Sequence, residues 1–306
     1  MKRKTAILVL LLAIALAAAF GFYIKRCANY ALQLPSCTKT TMGVDFDPMR
    51  KNDTQTNGGY PSVADIDNDL ALLEGKVSSV RTYSVSKGLN QVPVLAEKHH
   101  LTVTLGAWIG SDVERNRKEM SLLKETLQNN SQSVVRILVG NEALMRKDVS
   151  EQQLIDNIRE VKQFEKRPVS TSEPWDVWIE HPKLVAEVDY IAAHLTPYWS
   201  DVTVDRGVAL VFDHYAQLQK AYPNKPIVIT EVGWPSDGAP AGKAIASPAN
   251  QAIFLCEFIQ RAEKERLNYY ILEAFDQPWK VFLEGPAGAH WGVFDADRQV
   301  KYPIHL

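Results

Sequence analysis

The residues best placed to do chemistry are two glutamates. In KPIVITEVGWPSDG, Lys225 to Gly238, Glu231 follows the apolar, β-branched run Ile227 to Thr230. Gly233, Trp234, Pro235 and Gly238 come directly after it, the composition of a buried strand that ends in a tight loop. In VVRILVGNEAL, Val134 to Leu144, Asn141 and Glu142 stand just past Gly140 at the end of a second apolar strand. Buried carboxylates are costly unless they are paired or used. One strand-end glutamate is ordinarily half of a structural ion pair, but two on separate strands point to a single site that uses both. Glycoside cleavage needs this pair: one carboxylic acid protonates the departing oxygen while a second carboxylate attacks or activates water. Asn141, beside Glu142, is suited to hydrogen-bond a sugar 2-hydroxyl, a contact that strengthens at an oxocarbenium-like transition state.

The elements that must position these groups follow from hydrophobic periodicity. Short apolar runs predict strands at 42–46, 79–84, 101–109, 134–140, 167–172, 188–195, 226–232 and 269–275. Between them lie amphipathic, helix-like runs such as VADIDNDLALLEG, RNRKEMSLLKETLQNN, SEQQLIDNIREVKQFEK, VALVFDHYAQLQKAY and SPANQAIFLCEFIQRAEKER. Ser247 is a plausible N-cap for the last of these, with Pro248 at its first position. Strands interleaved with helices in this number predict an α/β fold, a (β/α)8 TIM barrel. A doubly wound open sheet is the alternative, but no GxGxxG or GxxxxGK[ST] loop follows any strand. In a barrel the reactive groups come from the C-terminal strand ends. Those ends offer Asp45, Tyr83, Trp108, Asn141 with Glu142, Glu173 with Trp175, Tyr198 with Trp199, Glu231 with Trp234, and Glu273 with Trp279. All seven tryptophans fall near or beyond a strand end. Aromatic faces among carboxylates suit sugar rings, about half of them being expected to serve as rim packing instead.

The 306 residues, 46% hydrophobic and 23% charged, suffice for one large barrel from 41 to 306. A net charge of −2 gives no basic surface for nucleic acid. Lys2, Arg3 and Lys4 precede an almost wholly apolar run, Ala6 to Phe22, closed by Lys25 and Arg26. Residues 1–26 therefore read as a transmembrane signal-anchor helix or a cleavable signal peptide, with Ala17 to Ala19 as the candidate cleavage site and 27–40 as a linker. Continuation of the run to Ile24 favours an anchored, exported protein over a secreted one. Cys27 and Cys37 are close enough for a small-loop disulfide, whereas Cys256, in AIFLCEFI, reads as a core thiol. The cysteines and the scattered histidines show no metal-ligand spacing, and no cofactor is implied.

The runs VGNEAL, ITEVGWPSDG and ILEAFDQPWK followed by HWGVFD together resemble glycoside hydrolase family 17, the β-1,3-glucanase and glucanosyltransferase family. GVDFDP, GYPSVADIDNDLALL and VRTYS resemble its N-terminal half, so the resemblance spans Met42 to Tyr302. It implies a (β/α)8 barrel and a retaining mechanism on β-1,3-linked glucan, by hydrolysis or transglycosylation. It also implies Glu142 as general acid/base and Glu231 as nucleophile, with Tyr83, Asn141, Tyr198, Trp234 and Lys280 lining the sugar sites. Glu173 and Glu273 join the candidate substrate contacts from their strand-end positions. One departure stands out: Gln277 occupies a position that is often acidic in the family, which removes a negative charge near the acid/base and Lys280. Glu273 and Glu284 are the candidates to replace it. Two other classes stay in view. A barrel that only binds glucan has no need of both glutamates, and an aldolase-type barrel would want a strand-end lysine, which Lys280 in its loop is not.

Overall fold

The computed structural model describes residues 41–51, 59–128 and 131–301. The expected N-terminal helix, the linker and any pairing of Cys27 with Cys37 fall outside these residues. Among the described residues no helix is long and apolar enough to cross a membrane.

Eight parallel strands close in sequence order: β1 (Thr41–Asp45), β2 (Val77–Arg81), β3 (Thr102–Ala107), β4 (Val134–Asn141), β5 (Val169–Pro174), β6 (Ile191–His194), β7 (Ile227–Val232) and β8 (Asn268–Ile271). Val44 opposite Ile271 shuts the barrel. The outer ring holds the long helices α1 (Val63–Leu73), α3 (Val113–Gln128), α4 (Glu151–Phe164), α7 (Val204–Ala221) and α8 (Pro248–Lys264). The short helices α2 (Val92–Lys98), α5 (Trp175–Glu180) and α6 (Pro182–Glu187) follow β2 and β5, and α9 (Val281–Glu284) follows β8. The ends are locally encoded. Ser62 with Asp65, and Ser150 with Gln153, form capping boxes at α1 and α4. Ser247 Oγ accepts the Asn250 amide with Pro248 opening α8, as the sequence predicts.

Strands buried on both faces read as near-continuous apolar runs, and every residue of β7 is buried. Inside the barrel, Leu138, Tyr190, Ala192, Val228 and Tyr270 form a small core of their own. The Tyr270 hydroxyl lies 2.9 Å from Ser79 Oγ and 2.6 Å from Thr104 Oγ1. Gly43 is required there, since a Cβ would come within 2.6 Å of the Tyr270 ring. The larger core joins the outer strand faces to the helices through Phe254, Phe258 and Trp178, among others. Cys256 sits in that core, but it is disulfide-bonded, which corrects its reading as a thiol. The register aligns Asp45 with Arg81 on β1 and β2, and His194 with Glu231 on β6 and β7, all at the C-terminal rim.

Candidate active site

Glu231 is the penultimate residue of β7, its side chain 10% exposed, and Glu142 stands just past β4, its side chain 26% exposed. A bulge between Leu138 and Asn141 breaks the β4–β5 ladder here. Gly140 takes a left-handed φ of 97°, where an added Cβ would meet Thr171 and Leu154. Glu142 itself has a φ of 52°, unusual for a side-chain-bearing residue and of the kind that clusters at functional sites. The result swings its carboxylate across the barrel mouth. One ligand atom each from Glu142, His194 and Glu231 lies within 4.8 Å of the others. Three donors at that spacing could in principle hold a cation. However, His194 Nδ1 already lies 2.8 Å from Glu142 Oε1, and Arg81 occupies Glu231 Oε1, so the trio is wired for protons.

The buried guanidinium of Arg81 organises the Glu231 side. Its Nη1 donates to Asp45 Oδ1 (3.0 Å), the Thr230 carbonyl (3.2 Å) and Glu231 Oε1 (2.8 Å), while Nη2 donates to Asn141 Oδ1. Because arginine only donates, Asn141 must turn its oxygen to Arg81 and its NH2 to the cleft. Burial raises the Glu231 pKa, but His194 and Arg81 together outweigh it and hold the carboxylate below its usual range. A carboxylate must be ionised to act as a nucleophile, and Glu231 meets that requirement. Among the described residues, neither Glu142 Oε2 nor Glu231 Oε2 has a partner, so each keeps one oxygen for substrate. Arg81, Asp45 and His194 are central here, yet neither Arg81 nor His194 stood out in the sequence. The usable signal was a titratable or charged residue at the C-terminal end of an apolar strand, as in β1, β2 and β6.

The expected sugar contacts divide. Asn141 directly precedes Glu142 and shares the Arg81 guanidinium with Glu231. Tyr83 is stacked 4.4 Å under the Arg81 guanidinium, its hydroxyl buried without a hydrogen-bond partner among the described residues. Tyr198 and Trp234 do not fit the expectation that they line the sugar sites. Both are fully buried, packed edge to face at 5.2 Å, with the Tyr198 hydroxyl donating to the Ala239 carbonyl and the Trp234 indole to Ile245. They build the wall under the β6–β7 rim. The exposed rim tryptophans are Trp108 and Trp199.

Glu173 is likewise reassigned. Fully buried, it accepts the Leu144 amide at 2.8 Å and the Met145 amide at 3.2 Å, so it holds the turn that follows Glu142 and cannot bind a sugar. Burial pushes its carboxyl up to about 7 against those two amides, and burial pushes Asp45 up to about 7 against Arg81. A carboxyl with a raised folded pKa binds its proton more tightly folded than unfolded. Its stabilising contribution is complete below the ordinary carboxylate range and is lost as pH rises through the folded value. Thermal unfolding scanned from pH 4.5 to about 7 should therefore give a falling Tm. Glu173→Gln, which cannot ionise, should flatten that slope while losing one amide hydrogen bond, about 1 kcal/mol. An unchanged slope would sink this account of Glu173.

Glu273 and Lys280 pair with each other rather than with a sugar. Lys280 Nζ lies 2.9 and 2.8 Å from the two Glu273 oxygens, and Glu273 holds the buried ammonium charged. Lys280 thus finds its carboxyl partner at Glu273 rather than at position 277, although burial pushes the Glu273 carboxyl well up against the pull of Lys280. Gln277 faces elsewhere: its NH2 donates to the Asp47 carbonyl and its oxygen accepts the Trp279 indole at 2.9 Å. Since an indole only donates and a carbonyl only accepts, this amide can sit one way only. Gln277→Glu would set a carboxylate oxygen against the Asp47 carbonyl and should destabilise the fold by about 1–3 kcal/mol in urea unfolding. A neutral result would show that the amide is dispensable.

Residues 43–292 match the family model of the BtgE/BtgC glycoside hydrolase domain. A glucan 1,3-beta-glucosidase of Candida albicans is 29% identical over 279 residues, 83% of this chain and 89% of that protein. A glucan endo-1,3-beta-glucosidase of Emericella nidulans is 28% identical across 88% of this chain, which spans 46% of that longer relative. Among solved structures, a glycoside hydrolase family 17 β-1,3-glucanosyltransferase of Rhizomucor miehei is 28% identical with a TM-score of 0.77. The match covers 87% of this chain and 97% of that one, which has also been solved as an active-site mutant in complex with laminaritriose.

Proposed function

The chain belongs to the BtgE/BtgC glycoside hydrolase domain family, within glycoside hydrolase family 17, and from that membership we propose that it cleaves β-1,3-glucan with retention of anomeric configuration, Glu231 attacking and Glu142 acting as acid and then base. The observation that supports the mechanism is the close approach of the pair, one oxygen of Glu142 lying within 4.8 Å of one oxygen of Glu231, which favours the shorter carboxyl separation. Carboxyl groups about 5–5.5 Å apart belong to retaining enzymes, whereas inverting ones stand roughly 6.5–9.5 Å apart to admit water. In the first half, Glu231 Oε2 bonds to the anomeric carbon as Glu142 protonates the departing oxygen. In the second, Glu142 takes a proton from the incoming hydroxyl, which displaces the ester. Asn141, its oxygen pinned by Arg81, offers its NH2 to the 2-hydroxyl. Acid, base and nucleophile suffice, without a cofactor.

Water or a sugar hydroxyl can end the cycle, so hydrolysis and transglycosylation share the site. The glucanosyltransferase of Rhizomucor miehei, covered over 97% of its length, favours transfer as a second reading. The apolar run from Ala6 to Phe22 with its flanking positives supports work outside the cytoplasm, with the leader retained or cleaved. Incubating the purified chain with β-1,3-gluco-oligosaccharides, with Glu142→Gln and Glu231→Gln as controls, tests the proposal by product mass and early-product anomer. Shorter sugars alone mean hydrolysis, and products longer than the substrate mean transfer. Inverted first products, or binding without turnover, would overturn it.

A further inference from the structure

His194 ends β6 and lies buried between the two catalytic carboxylates. Its Nδ1 is 2.8 Å from Glu142 Oε1 and its Nε2 is 3.3 Å from Glu231 Oε1. Nε2 has no hydrogen-bond partner among the described residues. Packing alone would not call for a titratable ring at this point, since a buried imidazole costs solvation. We propose that His194 is a proton-storing positioning residue of the reaction assigned above to Glu142 and Glu231: its hydrogen bond to Glu142 keeps the proton that Glu142 gives to the leaving oxygen, and its contact with Glu231 ties that storage to the charge on the nucleophile.

The proton count closes. A protonated Glu142 beside a neutral ring, and an ionised Glu142 beside an imidazolium, differ only by the position of one proton along the Nδ1–Oε1 hydrogen bond. In the first half-reaction the Glu142 carboxyl turns this proton out of the Nδ1 hydrogen bond and gives it to the glycosidic oxygen as the bond from the anomeric carbon breaks and the Glu231 ester forms. Glu142 is left ionised beside a neutral ring. In the second, water or an acceptor hydroxyl gives its proton to the pair as the ester breaks and the charge returns to Glu231. The groups facing the ring are Glu142 on the β4 loop, Glu231 on β7, Arg81 on β2, Asp45 on β1 and Glu173 on β5. Burial disfavours the imidazolium and Arg81 opposes it, but Glu231 and Glu142 outweigh both and raise the ring's pKa above its ordinary value. Glu231 is the largest favourable contributor, and esterification removes its charge.

Wild-type protein labelled with ¹³C,¹⁵N-histidine, titrated by NMR before and after trapping with a 2-deoxy-2-fluoro-β-glucosyl fluoride, tests this directly. The His194 titration should move to lower pH once Glu231 is esterified, and an unmoved titration overturns the proposal. Mass mapping that finds the label on another residue overturns both the proposal and the nucleophile assignment beneath it. His194→Gln should lower kcat/KM on β-1,3-gluco-oligosaccharides by about 10²-fold and shift the alkaline limb of the pH profile to lower pH. A dinitrophenyl glucoside, whose leaving group needs no proton, should lose much less. Equal losses on both substrates with an unchanged profile would reduce His194 to a wedge. Full activity of Glu142→Gln on oligosaccharide would instead sink the acid/base assignment.

Discussion

Glu231→Gln is expected to lower kcat/KM on β-1,3-gluco-oligosaccharides by at least about 10⁴-fold. An amide cannot form the glycosyl ester, so the double displacement loses its first step. The substitution is nearly isosteric, and its remaining oxygen can still accept from Arg81 Nη1, which also keeps Asp45 at 3.0 Å. Folding should survive, and unfolding curves should show it. The stereochemistry of azide rescue gives a sharper check on the two roles. With Glu231→Ala, azide can enter only from the face the nucleophile vacated, in a single inverting step, and should yield an α-glycosyl azide. With Glu142→Ala and a dinitrophenyl glycoside, whose leaving group needs no proton, the ester still forms, and azide then displaces it to give a β-glycosyl azide. Reversed products would exchange the two assignments, and substantial residual activity in Glu231→Gln would remove Glu231 from the chemistry.

Arg81→Met is expected to cost about 3–5 kcal/mol of stability. One buried guanidinium satisfies Asp45, Glu231, the Thr230 carbonyl and Asn141, so its removal leaves acceptors and negative charge in a site that water barely reaches. Replacing one partner of a buried pair costs more than the pair contributes, because the other charge is left uncompensated. Activity should fall with it. Arg81 is one of the three cations, with His194 and Lys280, that hold the Glu231 pKa down, so the acidic limb of the pH profile should move upward in the variant. In the wild type the depressed Glu231 pKa adds stability above the ordinary carboxylate range, and that stability is lost as pH falls through the folded value. Arg81→Lys keeps the charge but cannot spread it over four acceptors, and it should fall between wild type and methionine. A loss of under about 1 kcal/mol in urea unfolding of Arg81→Met would show that the network is loosely held.

The barrel was legible because parallel strands covered on both faces must be continuously apolar, and eight such runs stand out from amphipathic helices. The helices after β2 and β5 were not anticipated. At six or seven residues, Val92–Lys98, Trp175–Glu180 and Pro182–Glu187 make fewer than two turns, too short for a period of 3.6 to register. Trp175 and Trp178 thereby sit on a helix, and Trp178 packs against the barrel wall with its indole donating to the Ala192 carbonyl.

Within the site, the chain alone determined which two glutamates close apolar strands and that Asn141 precedes one of them, since burial and strand termination are local properties of composition. The partners were decided only in three dimensions. Arg81 reaches Glu231 across 150 positions of sequence, and His194 meets Glu142 across 52. Lys280 chose Glu273 rather than the position of Gln277, while Tyr198 and Trp234 turned into the wall instead of the cleft. Each of these outcomes depends on which strand ends the barrel's closure brings face to face, and on which side chains then find room. Side-chain direction at a rim is set by the register and bulges between strands, and no local pattern of residues encodes the register of a neighbour far away in the chain.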